Sequence, residues 1–187
     1  MAEAQFDFGV VSAIDAESIG TPGKRTFRVR VLRGDEAASL WVEKQQLAAL
    51  GEAIPRLLEQ LTSPDQHADV DPRPIRFFPD DPTVEFKVGR LGLGYAAQED
   101  RLVLVAHDLE SEAEAEAEAE EESDPEFPTF SCRFAREQAR ALSTACANAA
   151  AGGRPIFVLC HRPIDPEGHM CPSANGHQKL PLPEGNA

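Results

Sequence analysis

Long apolar runs are missing from this sequence. None approaches the ~20 residues that a membrane-spanning helix needs, so no membrane segment is expected. Met1–Ala13 lacks a basic flank followed by an apolar stretch; no signal peptide is read there, and a cytoplasmic location is expected. Basic residues are scarce as well: 18 Lys and Arg stand against 32 Asp and Glu, for a formal net charge of −14. An acidic body without a basic stripe repels phosphate backbones, so nucleic-acid binding is disfavoured. No Ser-His-Asp order with a nucleophile elbow, no P-loop and no His-Glu-x-x-His is present, which removes the commonest hydrolase and nucleotide signatures. Cysteine is limited to Cys132, Cys146, Cys160 and Cys171, which in a reducing compartment are thiols or metal ligands before they are disulfides.

Hydrophobic residues make up 42% of the 187. That supports one substantial core. Phe6–Ile14 alternates as a strand, Thr21-Pro22-Gly23 signals a turn, and Phe27, Val29 and Val31 alternate with Arg28 and Arg30 in a second strand. A short strand at 38–42 carries Trp41. Leu47, Leu50, Ile54, Leu57, Leu58 and Leu61 then recur at helical spacing. Gly51 and Pro55 interrupt that helix, which predicts a kink there, or a break with Pro55 opening a second helix. Thr62–Pro82 holds five prolines and reads as a loop, with an extended piece at 75–78. Strands follow at 84–95, 101–107 and 129–134, then a helix at 135–151 whose best apolar stripe is Phe134, Leu142, Ala145 and Ala149.

The order strand, turn, strand, short strand, helix thus occurs twice. Lys44–Leu50 resembles Arg136–Leu142, and Phe6–Gly9 resembles Phe86–Gly89. The fold class expected is α+β: an internally duplicated β-β-β-α unit forming a mostly antiparallel sheet covered by two helices. One unit is too small to bury its own sheet face, so a single domain over 1–153 is expected, with repeat one at about 5–62 and repeat two at about 83–152. Between its strands, 109–126 is an Ala/Glu run; Glu110–Glu126 alone holds ten acids and no base. Glutamates at i and i+4 repel, so a solvated, disordered insertion is expected.

The chemically distinctive segment is the tail, 154–187. Cys160, His169 and Cys171 fall within twelve residues of a Pro- and Gly-rich loop, with His161 and His177 nearby. Zinc takes about four such ligands in a tetrahedron. The segment lacks a Cys-x-x-Cys pair, so spacing alone leaves a zinc site and a loop with incidental Cys and His side by side.

Thr21–Phe27, Glu85–Gly94, the Ala/Arg-rich second helix and above all Pro163–Gly176 resemble the actinobacterial "repeat protein" family labelled domain of unknown function 3090. That resemblance covers nearly the whole chain. It implies a small Cys₃His zinc site in the tail, of which Cys160, His169 and Cys171 are kept. Phe157 stands where the family has its first cysteine, and His161 where it has a glycine. Water, His161 or His177 would complete the site, and the metal would be structural. A binding or scaffold role is expected of a duplicated sheet-and-helix body that presents a groove and a metal-stabilised tail; the resemblance implies an accessory role in a phosphate-linked pathway, with a histidine-phosphatase-like or kinase-like neighbour as protein partner.

Smaller features complete the inventory. Gly89–Gly94 has the order G-x-x-G-x-G with no helix start after it, and reads as strand glycines at bulges or close contacts. Thr21–Arg25 reads as a plain hairpin turn, the alternative being that Lys24 and Arg25 present two cations to an anion. His107 and Asp108 at a strand end have the types of an acid–base pair. Two rival functions follow. A hydrolase or transferase acting on a phosphorylated small molecule would gather Lys24, Arg25, Arg90 and His107 around one cleft. A single-stranded nucleic-acid binder would need a basic, aromatic sheet face.

Overall fold

The computed structural model describes residues 4–61, 78–110 and 129–151. Within them the elements are β1 (Phe6–Val10), β2 (Ala13–Thr21), β3 (Lys24–Arg33), β4 (Glu36–Val42), α1 (Lys44–Gln60), β5 (Val84–Ala96), β6 (Arg101–Asp108), β7 (Phe130–Phe134) and α2 (Arg136–Ala151). The strands form one seven-stranded sheet in the order β1-β7-β6-β5-β4-β3-β2. Pairing is parallel at β1–β7 and β4–β5 and antiparallel elsewhere. The α+β class expected from the sequence is what the chain adopts. No helix among the described residues is long and apolar enough to cross a membrane.

Strand alternation sorts the two faces. In β3, Phe27, Val29 and Val31 are buried while Arg28 and Arg30 lie on the other side. In β6 and β7 the buried apolar set is Leu102, Leu104, Ala106, Phe130, Cys132 and Phe134. Leu47, Leu50 and Ile54 of α1 and Ala139, Leu142, Cys146 and Ala149 of α2 join the same cluster, so both helices cover the apolar face. Cys146, rather than Ala145, takes the central place in the α2 stripe.

Phe6–Ile14 is not one strand. It is cut at Val11-Ser12, although hydropathy alternates straight through. The Val11 N–H bonds Arg133 O on β7 (2.9 Å) and the next N–H, Ser12, bonds Leu32 O on β3 (2.9 Å). β7 and β3 lie toward opposite ends of the strand order, so the sheet is curled until its two ends share this corner. β5 bends in the same way. Its first part pairs with β4 and its second with β6, with a register shift between Val88 and Arg90.

The two corners are clamped alike. Gln46, third residue of α1, accepts from Glu43 N–H (2.8 Å) and donates through Nε2 to Val88 O (3.4 Å) and Gly89 O (2.8 Å). Gln138, third residue of α2, accepts from Ala135 N–H (2.8 Å) and donates to Val11 O (3.3 Å) and Ser12 O (3.1 Å). Each glutamine caps its own helix and satisfies carbonyls that a bending strand takes out of its ladder. The seams begin alike too: Phe6 N–H bonds Thr129 O (2.9 Å) and Thr83 N–H bonds Ala37 O (2.8 Å).

α1 runs unbroken through Gly51 and Pro55, so of the kink or break expected there the break does not occur. Proline has no N–H for the carbonyl four residues back, which is that of Gly51. Ser143 of α2 supplies the missing donor, its Oγ lying 2.7 Å from Gly51 O. The close approach favours glycine, since a Cβ at position 51 would lie 3.0 Å from Cys146 Cβ, tighter than such contacts usually are. The two interruptions in the sequence are therefore one helix–helix contact.

Candidate functional site

Three polar assemblies stand apart from the core. The first is the outer face of the sheet over β2–β5, where side chains alternate away from the core. Glu17 lies opposite Arg28, Asp15 opposite Arg30, Arg28 opposite Trp41, and Trp41 opposite Lys87. Arg28 bonds Glu17 (Nε–Oε1 2.7 Å) and reaches Ser39 Oγ (3.3 Å). Arg30 meets both Asp15 (3.0 Å) and Glu17 (3.2 Å). Each guanidinium also covers an aromatic ring: Arg28 stands 5.3 Å from the centroid of Trp41 and Arg30 4.3 Å from that of Phe78. Trp41, the only tryptophan of the chain, donates Nε1–H to Glu85 (2.7 Å). Its neighbours Leu40 and Val42 are buried in the core, whereas Trp41 is part-exposed on the opposite side.

The second assembly lies where the β5–β6 turn meets the start of α2. Asp100 is fully buried and sits at φ +49°, the one positive φ outside glycine among the described residues. Its Oδ1 accepts from Tyr95 OH (2.6 Å) and from Arg136 Nε (2.8 Å) and Nη2, while Arg136 Nη2 also reaches Tyr95 OH (3.1 Å). A left-handed aspartate is uncommon. Here it delivers a carboxylate to a buried arginine whose charge would otherwise be very costly.

The third is the β1–β7 seam. Asp7 accepts from Gly9 N–H (2.8 Å) and Ser131 Oγ–H (2.9 Å) and pairs with Arg133 (3.4 Å), which also holds Glu99 (3.0 Å). Burial works against the Asp7 charge, but these donors and the nearby Arg33 outweigh it and hold its carboxyl below the usual range.

The residues singled out from sequence distribute as follows. Cys160, His161, His169, Cys171 and His177 lie outside the described residues, as do the acidic run at 111–126 and the 75–77 piece. Among the described residues no His, Cys, Asp and Glu side chains are grouped so as to hold a metal ion. Cys132 and Cys146 are buried free thiols, packed in the core as expected. Burial is the main cause that pushes the Cys146 thiol up to about 12, with Asp15 adding to it, and burial raises Cys132 likewise. Gly89 marks the bend of β5, and Gly92 lies so close to Val105 that a Cβ would approach its Cγ2 to 2.7 Å; both glycines serve the strand. His107 is buried with Arg90 Nη2 3.4 Å from each ring nitrogen, while Asp108 Oδ1 accepts from Glu110 N–H.

Lys24, Arg25, Arg90 and His107 are divided between the faces. Arg25 shares the parity of Phe27 and Val29 on the core side. Arg90 and His107 pair across β5–β6 on the outer side, alternating with the core-packed Leu91 and Ala106. The Asp100–Arg136–Tyr95 cluster was not foreseen. Its signals were an aspartate in a turn and a basic residue opening a helix 36 positions later, neither telling alone.

No curated protein and no solved structure matches the chain. The family model described as a protein of unknown function, DUF3090, matches residues 6–171, and the protein belongs to that family.

Proposed function

We propose that the protein is a binding or scaffold protein whose docking face is the outer side of β3, β4 and β5 around Trp41. The observation that carries this reading is the position of the only tryptophan. It is turned away from the core, fixed by Glu85 and lies against Arg28. Tryptophan and arginine dominate the energetics of protein interfaces when they are held rigid before the partner arrives. Asp15, Glu17 and Glu85 offset much of the basic charge of Arg28, Arg30 and Lys87. Such a face suits a protein partner better than a polyanion. The division of Lys24, Arg25, Arg90 and His107 between two faces removes support from the phosphoryl-handling enzyme.

The test is affinity capture from a native lysate with wild-type chain, Trp41→Ala and, as an exposed control, Arg56→Gln. A protein held by wild type and Arg56→Gln but lost with Trp41→Ala supports the reading; retention by all three contradicts it. The matched clamps at Gln46 and Gln138 support a second part of the proposal, that the two β-β-β-α units are copies of one. A structural zinc in the tail, held by Cys160, His169 and Cys171 with His161 or His177, belongs to the same proposal. It is tested by metal analysis of protein purified without a polyhistidine tag, where Cys171→Ser should release the zinc.

A further inference from the structure

Arg25 is a charged group without an account. Its Nε is buried and has no hydrogen-bond partner, and no ion pair reaches it among the described residues. Buried polar atoms are nearly always bonded, and an exception calls for a missing partner. Arg30 has an unpartnered Nε too, but its Nη2 meets Asp15 and Glu17 and its guanidinium covers Phe78. Arg136 bonds both Asp100 and Tyr95. Arg25 has neither kind of compensation.

The register explains what is missing. In the second unit Leu102 pairs with Phe134; two residues further along, Asp100 stands opposite Arg136, the first residue of α2, and bonds it. In the first unit Phe27 pairs with Val42, and the same register carried two residues on sets Arg25 against the exposed Lys44, the first residue of α1. The same corner of the fold thus holds a carboxylate and a base in one unit, and two bases in the other. The acid beside Lys44, Glu43, is engaged with Gln46 in the helix-capping box. The second unit closes its charge internally and the first does not.

We propose that Arg25 and Lys44 bind an oxyanion, the carboxylate or phosphate group of a small molecule, which takes in the first unit the place that the Asp100 carboxylate takes in the second. The guanidinium fork matches two oxygens of such a group. This site lies at the end of the core face and does not rest on the Trp41 reading.

The experiment titrates inorganic phosphate, and separately succinate, onto the full chain at constant ionic strength while following the arginine Nε–H resonances. Arg25→Lys identifies the Arg25 signal by removing it. The expected result is a saturable shift of that one signal and at least tenfold weaker binding by Arg25→Gln, with Arg56→Gln unchanged. A response to phosphate alone assigns a phosphorylated ligand, and one to succinate alone assigns a carboxylate ligand. The proposal is overturned if neither anion moves the Arg25 signal, or if binding is the same in Arg25→Gln. Should Arg25→Gln fail to fold, the wild-type titration decides by itself.

Discussion

Removing the Ser143 hydroxyl should cost stability only because residue 55 is proline. In α1 the Gly51 carbonyl cannot receive the usual helical donor, and Ser143 Oγ, 2.7 Å away, takes its place. Ser143→Ala therefore leaves a half-buried carbonyl with no partner. A lost hydrogen bond costs about 1 kcal/mol and a stranded buried acceptor about 1–3 kcal/mol, so the loss should be about 1–3 kcal/mol. Pro55→Ala restores an N–H four residues after Gly51. In that background Ser143→Ala strands nothing, and its cost should fall below about 1 kcal/mol. The double-mutant cycle then gives a coupling of about 1 kcal/mol or more between residues 55 and 143. Urea unfolding followed by far-ultraviolet circular dichroism, with the emission of Trp41 as second probe, measures all four proteins. An equal cost of Ser143→Ala in both backgrounds would refute the reasoning, since proline would then have no part in the contact.

Further outcomes follow from the same contacts. Gly51→Ala gains about 1 kcal/mol of helix propensity, yet its Cβ meets the backbone-anchored Cβ of Cys146 at 3.0 Å, so net destabilisation is expected. Cys146→Gly should relieve it and Cys146→Ala should not, as thermal unfolding of the double variants would show. Gly92→Ala should destabilise through its contact with Val105, whereas Gly94→Ala, with open space around it, should stay within about 0.5 kcal/mol of wild type. Asp100→Ala breaks the buried pair with Arg136 and should cost about 3–5 kcal/mol in denaturant unfolding. Asp7 has a depressed folded-state carboxyl, so its contribution is present above the unfolded value and is lost as pH falls through the lower folded one. Asp7→Asn should lower stability at neutral pH and flatten the acid limb of the stability profile; an unchanged acid limb would contradict this.

Much of the architecture was legible because alternation and helical spacing report burial directly. The pairing of Lys44–Leu50 with Arg136–Leu142 placed Gln46 and Gln138 at matching positions, where they clamp matching corners. Three features were hidden for one physical reason: each depends on a group distant in sequence. The cut at Val11-Ser12 follows from carbonyls on β7 and β3. The continuity of α1 past Pro55 depends on a hydroxyl 92 residues away from the carbonyl it serves. The left-handed Asp100 is held by a helix that begins 36 residues later. Local patterns register the interruption in each case but not the partner that repairs it.

The docking face can be probed with a photoreactive residue at one of two exposed sites. Lys87 stands beside Trp41 on the outer face and Arg56 lies on the surface of α1. Irradiation in cells should join a partner protein to the chain labelled at 87 and leave the chain labelled at 56 uncoupled. Equal coupling from both sites, or coupling from 56 alone, would contradict the account.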